Sequence, residues 1–86
     1  MTVYVDAPIN PFGRMLMCHM VADTDDELHR MADQIGVSRK WHQKAGTPQS
    51  HYDICKSKRA LAVNCGAVEI GRKELASLIK SKRRNL

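Results

Sequence analysis

Residues 39–59 concentrate cations and aromatic side chains, a mixture that is typical of surfaces that bind phosphates and bases. Six basic residues, two histidines and two aromatic residues fall in this stretch, against a single acid. They are Arg39, Lys40, Trp41, His42, Lys44, His51, Tyr52, Asp53, Lys56, Lys58 and Arg59. Cations bind phosphate oxygens, and a base stacked on an aromatic ring gains about 1–3 kcal/mol. The alternative for Trp41 is a role as a hydrophobic anchor in the core.

The first two predicted helices begin with opposite charges. Thr24 caps a helix whose first turn is acidic, whereas the next helix begins Ser57-Lys58-Arg59. A cation at a helix N-terminus costs about 0.3–1 kcal/mol, and a bound anion would offset that cost. The sequence therefore predicts a phosphate site at Ser57, Lys58 and Arg59. The alternative is that both cations point to solvent or pair with acids such as Asp53.

Histidines near the predicted strands raise the possibility of proton transfer. Alternation in a strand would place His51 and Asp53 on one face and Tyr52 on the other. His51 and Asp53 are a candidate acid–base pair, but no motif places a nucleophile beside them. His19 lies in an apolar run and is typical of a core histidine, unless it converges with His51. The catalytic hypothesis therefore rests on His19, His51 and Asp53.

Aspartates at predicted strand ends suggest a metal site of a different kind. Asp6, Asp23 and Asp53 each fall at or near such an end, and clustered carboxylates bind Mg²⁺ in small nucleases. The alternatives are that Asp23 serves only the neighbouring helix start and that Asp6 closes a turn before Pro8. Zinc is disfavoured, because His51 and Cys55 supply only two candidate ligands. The sequence also lacks a P-loop and a GxGxxG motif, so neither nucleotide fingerprint applies.

Composition predicts one small, basic domain. A chain of 86 residues buries only about 60–65% of its unfolded surface, which favours an oligomer. Its three cysteines form no disulfide framework, and no apolar leader or membrane span is visible, so we expect a reduced, cytoplasmic protein. The net charge is −4 over residues 1–35 and +9 over residues 36–86. The basic part attracts polyanions, or it is simply a solvated surface.

Strands that alternate with helices predict an α/β fold, with a short, at least partly parallel sheet of four to five strands and three helices. We predict strands at 2–6, 15–22, 37–42, 51–55 and 67–70, helices at 24–35 and 58–65 and after Gly71, loops at 7–13 and 43–50, and a frayed basic tail at 80–86. The nearly unbroken apolar run at 15–22 is typical of a strand buried on both faces. The first helix is the clearest, with a capping box at Thr24–Glu27 and Gly36 as its C′ residue.

Several strings carry a family resemblance that covers nearly the whole chain: Thr2-Val-Tyr-Val-Asp6, Met17-Cys-His-Met-Val-Ala-Asp23, Glu27-Leu-His29, Ser50-His-Tyr-Asp-Ile54, Ser57-Lys-Arg-Ala-Leu-Ala-Val63 and Gly66-Ala-Val68. They resemble a small bacterial and phage family known only as domain of unknown function 4031. The resemblance implies a stand-alone unit, often phage-encoded, with no assigned activity. The family's Cys-His, His-Tyr-Asp and Ser-Lys-Arg strings fall on residues 18–19, 51–53 and 57–59. By analogy, a phage setting suggests a protein that sequesters a signalling nucleotide or binds host nucleic acid.

Three functional hypotheses follow from these observations. The leading one is a non-enzymatic binding protein for a nucleotide or nucleic acid, without a cofactor. Its ligand-binding residues are Arg39, Trp41, His51, Tyr52, Ser57, Lys58 and Arg59. The first alternative is a nuclease or phosphohydrolase that uses Mg²⁺ held by Asp6, Asp23 and Asp53, with His19 or His51 as acid or base. The second is a protein-interaction module whose basic face meets an acidic partner.

Overall fold

A mixed β-sheet carries two helices on one face in the computed structural model, which describes residues 2–8 and 10–84. The elements in chain order are β1 (Val3–Val5), β2 (Asn10–Phe12), β3 (Met15–Ala22), α1 (Asp25–Ile35), a 3₁₀ turn (Arg39–Trp41), β4 (Tyr52–Cys55), α2 (Lys56–Asn64), β5 (Val68–Glu69) and α3 (Arg72–Arg84). The predicted α/β class with three helices is confirmed. None of the described helices combines the length and apolar character that a membrane span requires.

Strand β3 lies at the centre of the sheet. Met20 pairs with Val5 of β1 and with Tyr52 of β4, so these two strands lie on opposite edges of β3. Met17 likewise lies between β2 and β4. Strands β1 and β2 therefore follow each other along one edge of β3, and all three strands that pair with β3 run antiparallel to it. Strand β5 pairs parallel with β1, which confirms the predicted partly parallel sheet.

Helix α1 forms as the capping signals predict. The Thr24 hydroxyl accepts a hydrogen bond from the N–H of Glu27, and Gly36 ends the helix with a φ of 80°, which favours glycine. Helices α1 and α2 contact each other, and both pack on β1 and β3. The buried core consists of Val3, Val5, Cys18, Met20, Ala22, Leu28, Met31, Ala32, Ile35, Tyr52, Ile54, Ala62 and Ala67.

The predicted loop at 7–13 is partly wrong, because residues 10–12 form strand β2. Proline is tolerated in an edge strand, and β2 pairs with β3 alone among the described strands. Phe12 pairs with Met15 across a two-residue turn, whose first residue, Gly13, has a φ of 59°. Glycine at that place fits a type II′ hairpin turn. Met15 is 48% exposed, so the prediction of burial on both faces fails for the start of β3.

Other elements also differ from prediction. The segment 37–42 contains the 3₁₀ turn rather than a strand, and Ser38 caps that turn by accepting from the N–H of Lys40. Helix α2 begins at Lys56 with Cys55 as its N-cap residue, so Ser57 lies inside the first turn. Helix α3 continues to Arg84, so the predicted tail is helical over residues 80–84. Residues 85 and 86 lie outside the described part of the chain.

Candidate functional site

His19, His51 and Asp53 converge on the sheet face opposite the core. His19 pairs with Asp53 across β3 and β4, and His51 precedes β4 on the same face as Asp53. Asp53 Oδ1 lies 3.8 Å from His19 Nε2 and 3.4 Å from His51 Nε2. In residues 2–8 and 10–84, this is the one group of three potential metal ligands, with its donor atoms within 4.8 Å of each other. His19 is therefore not the core histidine that its apolar neighbours suggested.

Both histidines are oriented by hydrogen bonds at their other ring nitrogen. The Asp6 carboxylate lies 2.7 Å from His19 Nδ1 and also accepts from the backbone N–H of His19 at 2.6 Å. His51 Nδ1 lies 2.6 Å from the carbonyl oxygen of Gln49. A carbonyl or carboxylate oxygen only accepts, so we assign the proton to Nδ1 in both rings. In both rings Nε2 is then the atom nearer to Asp53, at 3.8 Å for His19 and 3.4 Å for His51.

The carboxylate of Asp53 is fixed in a similar way. Gln43 Nε2 donates to Asp53 Oδ2 at 2.9 Å, which leaves Oδ1 facing the two imidazoles. The three acceptor atoms therefore meet without a hydrogen atom between them when both histidines are neutral. In a tetrahedral site with bonds of about 2.1 Å, ligand atoms are about 3.4 Å apart. The observed distances from Oδ1, 3.4 and 3.8 Å, are close to that spacing.

An open cleft adjoins this group of ligands. It lies between the β2–β3 hairpin and residues 36–43, with a volume of about 720 Å³, and we call it the hairpin cleft. Phe12 and Trp41 line it and are 69% and 59% exposed, so Trp41 is not a core anchor. The residues that line the hairpin cleft are Pro11, Phe12, Met15, Met17, His19, Gly36, Val37, Ser38, Lys40, Trp41, Gln43, Asp53, Ile54, Cys55 and Lys58.

The cations at the start of α2 have protein partners. Lys58 Nζ donates to the carbonyl oxygen of Ile35, the last residue of α1, at 2.9 Å. Arg59 donates to the carbonyl oxygen of Asp6 and to Glu69 Oε1, both at 2.8 Å. Their unfavourable position on α2 is thus explained by contacts with other elements. The phosphate site at these residues stays a prediction, but the misplaced charges no longer require one.

Two other predicted ligand-binding residues, Tyr52 and Arg39, do not line the hairpin cleft. Tyr52 is fully buried, and its hydroxyl lies 2.7 Å from His29 Nδ1, so it does not share a surface with Trp41. Burial raises the pKa of Tyr52. Arg39 forms two hydrogen bonds with Asp33, at 2.9 and 3.2 Å, and thereby lowers the pKa of that carboxyl.

The start of α2 affects a cysteine that lines the hairpin cleft. The Ser57 hydroxyl lies 3.2 Å from Cys55 Sγ, so it also has a protein partner. This contact, together with the N–H of Lys58, lowers the pKa of the Cys55 thiol. Burial instead raises the pKa of Cys18 to about 12. Of the two thiols, Cys55 is therefore the more readily ionised.

The three aspartates proposed as magnesium ligands do not all converge, because Asp23 lies apart from Asp6 and Asp53. Asp23 accepts from the N–H of Thr2 at 2.9 Å and from the Tyr4 hydroxyl at 3.0 Å. It directly follows β3 and lies four residues beyond His19, or about 13 Å at about 3.3 Å per residue. Asp6 supports a histidine, as described above, and only Asp53 belongs to the group of three potential ligands.

Sequence analysis missed several residues around the site. Gln43 was assigned to a loop, and its contact with Asp53 depends on an isolated bridge between Gln43 and His51 that no local pattern reveals. Phe12 could have been found, because two apolar residues, Phe12 and Met15, flank the dipeptide Gly13-Arg14, and a two-residue turn that begins with glycine between such residues is a hairpin signal. Ser50, whose buried hydroxyl lies 2.6 Å from His42 Nε2, is on the opposite side of β4 and does not belong to the site.

Comparisons with known proteins identify a family but no activity. A family described as "Protein of unknown function (DUF4031)" matches residues 3–82, in agreement with the resemblance found in the sequence. Neither the curated proteins nor the solved structures contain a match.

Proposed function

Because the chain belongs to the DUF4031 family, whose description assigns no activity, we propose from its geometry that it is a divalent-metal-dependent phosphoester hydrolase. In this proposal, His19, His51 and Asp53 bind the metal ion. The supporting observation is that both Nε2 atoms lie within 3.8 Å of Asp53 Oδ1 while both Nδ1 atoms contact an oxygen acceptor. A carboxylate or carbonyl behind a histidine is the usual support of a metal ligand.

A proton is a poorer occupant of this position than a metal ion. A charge-assisted N–H···O hydrogen bond is about 2.7–2.9 Å long. The distances from Asp53 Oδ1 to the Nε2 atoms of His19 and His51 are longer, at 3.8 and 3.4 Å. One protonated imidazole would also leave the other lone pair facing the carboxylate without a partner. A divalent ion would be bound by all three acceptors at once, which favours a metal ion over a shared proton at this position.

Three protein ligands would leave coordination positions open for water and substrate. The ion would lower the pKa of bound water toward about 7 and polarise a phosphoryl oxygen. Lys40 and Lys58 line the adjoining cleft and would favour an anionic substrate. Two imidazoles with one carboxylate suit Zn²⁺, Mn²⁺ or Fe²⁺ better than Mg²⁺, which prefers oxygen ligands. The expected metal therefore differs from the magnesium of the sequence-based alternative.

Metal binding is tested with protein stripped by EDTA and then titrated with Zn²⁺ or Mn²⁺ in a calorimeter. We expect one site per chain and a loss of affinity beyond about 100-fold in Asp53→Asn and His51→Ala, because loss of a direct ligand should exceed the effect of losing its support. Asp33→Asn is the matched control, since Asp33 is an exposed carboxylate that pairs with Arg39 away from the site. Equal affinities in Asp53→Asn and Asp33→Asn would contradict the site.

Hydrolysis is tested separately with bis(p-nitrophenyl) phosphate, whose cleavage releases a coloured product. We expect metal-dependent turnover by the wild type and by Asp33→Asn, but not by Asp53→Asn. Metal binding without turnover of this ester or of a nucleic acid substrate would reject the hydrolase while retaining the metal site. The non-enzymatic phosphate binder proposed from the sequence would then be the better account.

A further inference from the structure

We propose that the hairpin cleft binds an unpaired nucleobase joined to a phosphate, as found in single-stranded nucleic acid and in free nucleotides. The bound base would contact Trp41 and Phe12, and its phosphate would point toward His19 and Asp53. Placing the phosphate at the metal rests on the proposed function, whereas stacking in the cleft does not. The ligand would therefore be the substrate class of the proposed hydrolase.

The first support is the aromatic lining of the hairpin cleft. Phe12 and Trp41, 69% and 59% exposed, come from the hairpin and from the 3₁₀ turn and face the same space. Large apolar side chains that are exposed together mark binding surfaces in soluble proteins. Met15 and Met17 extend this surface along β3 toward His19. A planar, apolar group would cover these side chains, and a nucleobase is such a group.

The second support is the charge of the hairpin cleft. Its ammonium groups belong to Lys40 and Lys58, and the acid among its lining residues is Asp53, which we assign to the metal. Lys40 Nζ lies over one face of the Trp41 ring, 5.2 Å from its centre, so a base would stack on the opposite face. A cation is therefore close to the ring on which the base would stack. An aromatic surface with cations beside it complements the two halves of a nucleotide.

The same features favour unpaired over paired bases. In a duplex, neighbouring base pairs cover both faces of each base and leave only the edges accessible in the grooves. An aromatic side chain can stack on a base only after that base has left the helix. The hairpin cleft, at about 720 Å³, falls within the range of about 300–1,000 Å³ typical of small-ligand pockets. It therefore suits one or two nucleotides rather than the side of a duplex.

Trp41 provides the readout for the test, because it is the only tryptophan of the chain. Protein in EDTA is titrated with a ten-nucleotide oligothymidylate, with thymidine monophosphate, with a ten-base-pair duplex and with oligoglutamate. We expect the oligothymidylate or the mononucleotide to quench Trp41 emission, and the duplex and the acidic peptide to leave it unchanged. Much tighter binding of the oligomer would identify a strand as the ligand, and equal affinity per site would identify a free nucleotide.

A matched pair of variants tests the stacking itself. Fluorescence anisotropy of a labelled oligothymidylate should show affinity reduced between about 5- and 150-fold by Trp41→Leu, the range expected for losing one stacked base. Leu61→Ala is the control, because it also removes an exposed apolar side chain but lies on α2 outside the hairpin cleft. Absent quenching, equal binding of the duplex, or equal affinity in the two variants would overturn the proposal.

The two proposals fail in distinguishable ways. The fluorescence titration is carried out in EDTA, so its result does not depend on metal binding by His51 or Asp53. Quenching in EDTA combined with no Zn²⁺ or Mn²⁺ binding would reject the hydrolase and keep the base-binding cleft. Metal-dependent cleavage of bis(p-nitrophenyl) phosphate without quenching would keep the hydrolase and reject a nucleobase as part of its substrate.

Discussion

Lys58→Met tests whether Lys58 stabilises the end of α1. Lys58 Nζ donates to the carbonyl oxygen of Ile35 at 2.9 Å, and the last turn of α1 contains no basic residue of its own. The C-terminal end of a helix carries a partial negative charge of about −0.5, so a cation there is favourable. Methionine keeps an unbranched apolar stem but removes the charge and the donors. The variant therefore isolates the contact with α1.

Two interactions contribute to the expected loss in the free energy of unfolding. A hydrogen bond that involves a charged group contributes about 1.5–3 kcal/mol, and a cation near a helix C-terminus about 0.3–1 kcal/mol. Lys58 is only partly buried, and water can replace part of both interactions, so we expect a total of about 1–2 kcal/mol. For a domain of this size, each kcal/mol lowers the melting temperature by about 4–8 °C. Lys58→Met should therefore melt about 4–16 °C below the wild type.

The assay is thermal unfolding followed by circular dichroism at pH 7 in a buffer without phosphate. Lys56→Met is the matched control, because Lys56 is an exposed lysine in the same turn of α2. Melting of both variants within about 1 °C of each other would refute the role of Lys58 at α1, given the expected shift. Phosphate that stabilised the wild type but not Lys58→Met would instead support the anion site predicted from sequence.

Three further changes test other parts of the structure. Asp6→Asn should weaken Zn²⁺ binding by about 10–100-fold, because Asp6 orients His19; unchanged affinity in a calorimetric titration would contradict this. Tyr52→Phe removes the 2.7 Å contact with His29 and should cost about 0.5–1.5 kcal/mol in urea unfolding, so an unchanged midpoint would count against that bond. Burial lowers the pKa of His42 in the folded chain below its usual 6.5. As the pH falls below 6.5, the unfolded chain takes up a proton that the folded chain resists, so the free energy of unfolding decreases. His42→Asn should flatten this dependence in urea unfolding between pH 7.5 and 5, and an equal slope in both proteins would contradict it.

Elements with strong local signals were predictable from the sequence. The ends of α1 depend on hydrogen bonds within a few residues of Thr24 and Gly36, so the sequence contains the information needed to place them. The bounds of β3 were also correct, because Gly13 precedes it and the helix cap follows it. Residues 10–12 were assigned to a loop because Pro11 argues against a strand, a rule that holds for central strands and not for edges.

Contacts distant in sequence were not predictable in the same way. Lys58 meets a carbonyl 23 residues away, and Arg59 meets one 53 residues away. From the sequence alone, both cations were at an unfavourable helix end, and an anion was the simplest remedy. The folded chain supplies other acceptors, which only the packing of α2 against α1 and β1 reveals. The same limit applies to His19, whose convergence with His51 depends on the pairing of β3 with β4.

Successive side chains of β4 point alternately into the core and into the candidate site. Asp53 faces His19 on one side of the sheet, whereas Tyr52 and Ile54 are buried on the other. A slip of one residue would exchange these faces and bring Tyr52 into the site, so the buried side chains fix the register on which the ligands depend. Tyr52→Phe keeps the ring that fills the core and removes only a hydroxyl on the opposite side from Asp53. It should therefore lower stability while leaving metal affinity unchanged, and a parallel loss of both would show that the register itself had moved.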